Sequence, residues 1–167
     1  MALPWFERNL KFGDGPEMLP FFLERLGGTL IGLDQKVKGI DNKILSERIN
    51  GKWSVKENIG HLAEIDEIAN KRIDELTAGV AVLSPAVFEP RNYNSWPIEK
   101  VLDFFKRNRL NNLKKYQTLS HKQLKKSSLH PRLKVQMTPV DLAWFDAKHD
   151  DHHVVRINEI LKPTPNQ

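Results

Sequence analysis

The chain has 167 residues, a formal net charge of +5 and no cysteine. This length suits one domain with one core, and 40% hydrophobic with 28% charged residues excludes the composition of a disordered chain. The lack of cysteine excludes disulfides, thiolate metal sites and a cysteine nucleophile, so any metal must bind to His, Asp or Glu.

Apolar residues at three- and four-residue spacings predict four helices, of which the first spans residues 16–37. Its apolar positions are Leu19, Phe22, Leu23, Leu26, Leu30, Leu33 and Val37. Gly27 and Gly28 are expected to break or bend this helix. The polar connection that follows, residues 41–52, is expected to contain a short helical piece around Leu45.

The second predicted helix has the clearest start signal. Ser54 with Glu57 three residues later forms a capping box, which satisfies two otherwise unpaired backbone N–H groups, and Gly79 is the expected stop. Its buried face consists of Val55, Ile59, Leu62, Ile65, Ile68, Ala69, Ile73 and Leu76. Residues 80–96 then form a long connection, in which the apolar triplet 80–82 is too short to indicate a sheet.

A proline marks the start of each of the other two predicted helices. Pro97 fits the first turn of the third helix, where its missing N–H costs nothing, and this helix is expected to end near Thr118. A polar and basic segment follows. Thr138 is the predicted N-cap of the fourth helix and Pro139 its first residue, and the helix is expected to continue until Pro163.

Four helices without an alternating strand pattern predict an all-α fold. We expect a four-helix bundle of the up-down type with long crossover connections, as a single domain over residues 1–167. The sequence has no long apolar run and no signal-peptide pattern, so we expect a cytoplasmic protein without membrane contact. Much of the basic surplus lies in residues 114–134, where only Tyr116 could stack on a base, so we expect a solvated surface and no nucleic-acid partner.

Two histidines on the fourth predicted helix form the first part of a candidate metal site. His149 and His153 are four residues apart, so their side chains project from one helix face. The spacing alone is weak evidence, because such pairs are usually solvated or hydrogen-bonded. This pair, however, lies on the inward-facing apolar stripe, where an imidazole needs partners for both nitrogens and a metal can satisfy one. The stripe also contains Leu142, Phe145, Ile157 and Ile160.

His61 is the third candidate ligand. It lies in the second predicted helix beside Ile65 and Ile68, although a single core histidine would explain this position equally well. Three imidazoles leave an open metal position, which is typical of catalytic rather than structural sites. His152 points about 100° away from His153 and is expected either to support the edge of the site or to face solvent.

Four carboxylates of the predicted helices lie near these ligands: Glu57, Glu64, Asp146 and Asp150. Any of them could orient an imidazole or act as a base, although solvated helix charges are the simpler interpretation for most. The capping box already explains Glu57. We predict that Glu64 or Asp150 assists the chemistry.

Two motifs carry a family resemblance: WSVKENIGHLAE at residues 53–64, followed by Arg72, and HDDHHVVRI at residues 149–157. Through them, most of the chain resembles the DinB-like superfamily, including its YfiT-like metal-dependent hydrolases. The resemblance implies a four-helix bundle, often a homodimer, in which the three candidate histidines hold one divalent metal ion.

The resemblance implies an enzyme acting on a small-molecule substrate, although its relatives differ in reaction. Some transfer bacillithiol, mycothiol or glutathione, and others are hydrolases. Our first hypothesis is a thiol S-transferase, in which the metal lowers the pKa of an external thiol and presents the thiolate to an electrophile. A metal-dependent hydrolase is the close variant. A non-catalytic stress protein that binds metal or ligand is the alternative outside enzymes.

The donor set leaves the metal open. Three imidazoles plus solvent suit zinc, nickel or iron, of which zinc and nickel are favoured. Arg156 stands one turn after His153, where some relatives carry another polar residue, and it could place a cation near a substrate carboxylate.

Overall fold

Four long helices account for most of residues 3–162, the part of the chain that the computed structural model describes. The helices are α1 (Leu19–Val37), α2 (Asn42–Ser46), α3 (Val55–Ala78), α4 (Ile98–Gln117), α5 (His121–Leu124) and α6 (Pro139–Leu161), of which α2 and α5 are short. Three 3₁₀ turns (Trp5–Glu7, Pro16–Met18 and Tyr93–Ser95) and two strands, β1 (Ser128–Leu129) and β2 (Gln136–Met137), complete the secondary structure.

The four long helices form one bundle. Helix α3 packs against α4 and α6, and α1 packs against the same two helices, so α1 and α3 occupy diagonal positions. The predicted all-α four-helix bundle with long crossover connections is confirmed. Within residues 3–162, none of the helices combines the length and the apolar character needed to cross a membrane.

Helices α3 and α4 are neighbours that run parallel. Near their first turns, Lys56 Nζ donates to the carbonyl of Trp96 over 2.6 Å, and near their last turns, Lys115 Nζ donates to Asp74 Oδ2 over 2.8 Å. A parallel pair requires the connection over residues 79–97 to return along the length of the bundle. This return carries the chain past the face where α3 meets α6.

Local capping residues set the helix ends that the sequence predicted. The capping box at the start of α3 is confirmed, because Ser54 Oγ accepts from the Glu57 N–H and the Glu57 carboxylate accepts from the Ser54 N–H. Gly79 ends α3 with φ of 78°, a left-handed conformation that glycine adopts without strain. Thr138 caps α6 as predicted, and Asp141 completes a second capping box there.

Some details differ from the sequence predictions. Helix α1 continues through Gly27 and Gly28, because its packed apolar face outweighs the cost of about 1 kcal/mol per helical glycine. Pro97 is the N-cap of α4 rather than a residue of its first turn. The helical piece around Leu45 is confirmed as α2, and the stop expected at Pro163 lies outside the described residues.

A small sheet joins two of the long connections. Strands β1 and β2 pair antiparallel, with Ser128 opposite Met137, and Val82 adds an isolated bridge to Leu129. Two-residue strands have no alternation that a sequence pattern could reveal. The sheet fixes the segments before α6 and after α3 against each other.

Two apolar clusters fill the bundle, and charged residues lie between them. On α3, Asp66 separates Ala63 of one cluster from Ala69 of the other. Arg109 on α4 is 1% exposed and donates from Nε to Asp66 over 2.9 Å. Its Nη1 donates to the carbonyl of Leu26 on α1 and to Asp150 on α6. One side chain therefore connects all four long helices.

The charge of Arg109 is retained despite its burial. Burial opposes the guanidinium charge, but Asp150 and Asp66 outweigh burial and raise the pKa of Arg109 above its ordinary value. Asn112 donates a further hydrogen bond of 3.0 Å to Asp66 Oδ1. Every charged group of this network has hydrogen-bond partners. This is the condition for burying an ion pair without a large loss of stability.

We expect Arg109→Met to destabilise the fold by about 3–5 kcal/mol, because it leaves two buried carboxylates without their partner. Lys106→Met on the exposed side of the same helix is the matched control, with an expected change within about 0.5 kcal/mol. Urea unfolding followed by circular dichroism measures both. Equal free energies of unfolding for the two variants would contradict the role given to Arg109.

Candidate metal centre

The structure brings the three predicted histidines together. His61 lies on α3, and His149 and His153 lie one turn apart on α6. One ligand nitrogen from each ring lies within 4.8 Å of the other two. His149 and His153 are buried, whereas His61 is partly exposed. This grouping could hold a metal ion.

Asn58 fixes the ring of His153. The Asn58 amide nitrogen donates to the carbonyls of Trp53 and Ser54, so its oxygen faces His153 Nδ1 at 2.7 Å. An amide oxygen only accepts, so His153 Nδ1 must carry the proton. The lone pair of His153 is therefore on Nε2, the atom that faces His149.

Glu64 lies behind His61. Its Oε2 is 3.5 Å from His61 Nδ1, and its Oε1 accepts from the hydroxyl of Tyr93 over 2.8 Å. Gly60 makes room for this arrangement, since a Cβ there would lie 2.5 Å from the Tyr93 ring. A carboxylate near one imidazole nitrogen makes the other nitrogen a stronger metal ligand.

The nitrogen atoms of the buried pair fit a cation. His149 Nε2 and His153 Nε2 are 3.2 Å apart, while His149 Nδ1 is buried without a hydrogen-bond partner in the described structure. Burial, with the nearby His61, lowers the pKa of His149 to about 3, and burial with His149 lowers the pKa of His153 well below its ordinary value. Neutral imidazole is the form that binds metal, so this donor set fits a divalent ion.

A cavity of about 1070 Å³ opens onto the three histidines. Aromatic rings line it beside the ligands: the Trp53 ring lies 4.8 Å from His61, Phe88 lies 5.3 Å from His61, and Trp5 lies 5.1 Å from His149, measured between ring centroids. These rings give the surroundings of the site an apolar character. The cavity is large enough for a drug-sized ligand.

Both predicted assisting carboxylates are held by other side chains. Asp150 accepts from two nitrogens of Arg109, at 2.5 and 2.9 Å, and belongs to the buried network. Glu64 is engaged by Tyr93 and faces His61. Their roles in chemistry stay predictions, and neither lines the cavity that opens onto the three histidines.

Two other residues that the sequence indicates, Arg156 and His152, line the same cavity, and the role of Arg156 stays a prediction. Arg156 lines the cavity and donates to Glu159 over 2.7 Å. His152 also lines the cavity, with Nδ1 3.4 Å from the Arg8 guanidinium. This position matches the edge of the site rather than a ligand position.

The two remaining carboxylates from the sequence analysis are Glu57 and Asp146. Glu57 pairs with Arg48 in addition to closing the capping box, so it is held at the surface of the α3 start. Asp146 is buried on α6, where burial and the nearby Asp66 raise its pKa well above the ordinary value.

Asn58, Trp5 and Tyr93 are among the residues of the site that the sequence analysis did not predict. Asn58 had a usable signal, since it is a polar residue on the buried face of a helix, three positions before His61. Trp5 and Tyr93 lie in 3₁₀ turns outside the periodic segments, so the sequence contains no comparable signal for their approach to the site.

The chain belongs to the DinB superfamily, whose family model matches residues 33–155. Among solved structures, the chain is similar to YfiT from Bacillus subtilis, with a TM-score of 0.79 and 18% sequence identity over 92% of this chain and 91% of that chain. That protein is described as a probable metal-dependent hydrolase with an unusual four-helix bundle topology. No curated protein matches the sequence.

We expect Asn58→Leu to weaken zinc binding by about 10- to 100-fold, because His153 Nδ1 then loses the acceptor that fixes its tautomer. Competition with a chromophoric chelator measures the affinity. Asn111→Leu, at an exposed position of α4, is the control and should bind zinc like the wild type. Unchanged affinity in Asn58→Leu would show that the ring of His153 needs no such support.

Proposed function

We propose that the chain is a metal-dependent enzyme that transfers a low-molecular-weight thiol, of the bacillithiol type, to an electrophilic small molecule. The main support is that the three histidines line the large cavity while both candidate bases, Glu64 and Asp150, are held by other groups. A site with this geometry favours a nucleophile that needs no carboxylate base.

A divalent ion at the three histidines would lower the pKa of a thiol or a water molecule that binds to it, so that either becomes a nucleophile at neutral pH. The thiol proton leaves for solvent, the sulfur forms a bond to the electrophilic carbon, and that carbon releases its leaving group. A thiol is favoured because its ordinary pKa is already close to neutral.

The chain's own residues would position the reactants. Asn58 holds the ring of His153 in one tautomer, and Glu64 lies 3.5 Å from His61 Nδ1. Trp5, Trp53 and Phe88 present apolar surface beside the candidate ligands. This surface favours the binding of an electrophile with an apolar body.

Hydrolysis is the second candidate. The structurally similar YfiT is described as a probable metal-dependent hydrolase, and three histidines with an open position suit the activation of water equally well. The two reactions differ in whether turnover needs an added thiol.

The test is turnover by the metal-loaded full chain with bacillithiol and monochlorobimane, compared with hydrolysis of 4-nitrophenyl acetate. We expect thioether formation that requires both metal and thiol and that falls at least about 100-fold in His149→Ala, because a ligand is lost. His121→Ala, an exposed histidine on α5, is the matched control and should retain activity. Ester hydrolysis without thiol would favour the hydrolase, and metal binding without either product would contradict an enzyme.

A further inference from the structure

A second polar group lies in the wall of the same cavity, apart from the histidine site. Arg72 projects from α3 and His130 follows β1, and both line the cavity that reaches the three histidines. They are 7% and 4% exposed, respectively. Neither belongs to the candidate metal ligands or to the Arg109 network.

The hydrogen bonds of His130 determine its tautomer. His130 Nδ1 accepts from the backbone N–H groups of Arg132 and Leu133, at 3.2 and 3.1 Å. Burial, with Arg72 and Arg132, lowers the pKa of His130 to about 4, so the ring is neutral at pH 7. The single proton must then be on Nε2. This N–H donor is buried and has no acceptor in the described part of the chain.

Arg72 presents a second donor of the same kind. Its Nε is buried without a partner among residues 3–162, and its Nη2 reaches the carbonyl of Ser84 only at 3.5 Å. The acids that face Arg72 are Asp146 and Glu75. Glu75 already accepts from the backbone N–H and the hydroxyl of Ser84. An unpartnered guanidinium N–H is costly to bury, so a hydrogen-bond acceptor that reaches it would stabilise it.

We infer that Arg72 and His130 form a binding subsite for the carboxylate group of the substrate. A carboxylate offers two acceptor oxygens and a negative charge, which match two buried N–H donors and one guanidinium. A neutral carbonyl would satisfy one donor and add no negative charge beside the guanidinium. Of the two acids that face Arg72, Glu75 is held by Ser84, and burial raises the pKa of Asp146 well above its ordinary value. The assignment to substrate rests on the proposed function, whereas the binding of a carboxylate does not.

The wall between the two polar groups is aromatic. The ring of His130 lies 6.1 Å from Phe145, Phe145 lies 5.2 Å from Trp5, and Trp5 lies 5.1 Å from His149, between centroids. A ligand that spans the cavity would contact this wall along its body. The substrate class is therefore an organic acid with an apolar body, whose carboxylate is held at Arg72 while its reactive carbon lies toward the three histidines.

The direct test compares two probes of nearly equal shape, 4-phenylbutyrate and its neutral amide 4-phenylbutanamide, on the full chain. Isothermal titration calorimetry is done on the metal-loaded protein and again after removal of metal with a chelator. We expect the carboxylate to bind at least about tenfold more tightly than the amide in both forms, because a charge-assisted pair is lost with the amide. Equal affinities of acid and amide would overturn the inference.

Variants separate this subsite from the metal. Arg72→Gln should lower the affinity for the carboxylate about tenfold in the metal-free protein. The control is Lys71→Gln, at the adjacent and exposed lysine, which should leave this affinity unchanged. In ¹⁵N-histidine spectra of the wild type, the Nε2–H signal of His130 should shift more with the acid than with the amide at equal concentration. Carboxylate binding that disappears with the metal and is unaffected by Arg72→Gln would place the acid on the ion instead and overturn the subsite.

The two proposals can fail separately. Loss of thiol transfer with retained carboxylate binding in metal-free protein would reject the reaction and keep the subsite. Thiol transfer with equal binding of acid and amide would keep the reaction and reject the subsite. The probe comparison uses the wild-type chain, so it stays decisive even if Arg72→Gln does not fold.

Discussion

The buried guanidinium of Arg109 links the geometry of the bundle to the geometry of the site. It donates to Asp66 on α3 and to Asp150 on α6, and Asp150 adjoins His149 in the chain. The rotation and height of α6 against α3 are therefore constrained one residue away from a candidate ligand. Since metal ligands must converge within a few tenths of an ångström, a rigid ionic contact at this depth favours a preorganised site over one assembled by the ion.

Local features of the sequence predicted the helices well, because caps and stops act within a few residues. Ser54, Gly79 and Thr138 set helix ends through hydrogen bonds and backbone conformations that neighbouring residues determine. The direction of α4 along α3 could not be predicted in the same way, since a helical period shows which face is buried but not which way the neighbour runs. Arg109 was missed for a related reason: a basic residue in a helix is usually solvated, and its burial depends on acids from two other helices.

The candidate site, like the fold, could be predicted only in part from the sequence. The spacing of His149 and His153 places them on one face, and the family motif adds His61, so the donor set follows from the sequence. The groups that orient these rings depend on tertiary packing, as with Tyr93, which approaches Glu64 only because Gly60 has no side chain. Likewise, Arg72 and His130 are far apart in the sequence, and only the folded chain brings them to one cavity. The cavity thus combines a candidate metal-ligand end, an aromatic wall and an end with two donors that lack partners among the described residues.

The measurement that tests the central claim most directly is the metal content of the full chain, purified without an affinity tag and reconstituted with zinc or nickel. The account predicts about one ion per chain in the wild type and loss of that ion in His61→Ala, since the α3 ligand completes the set. No bound ion after reconstitution, or an undiminished ion content in His61→Ala, would contradict the three-histidine centre.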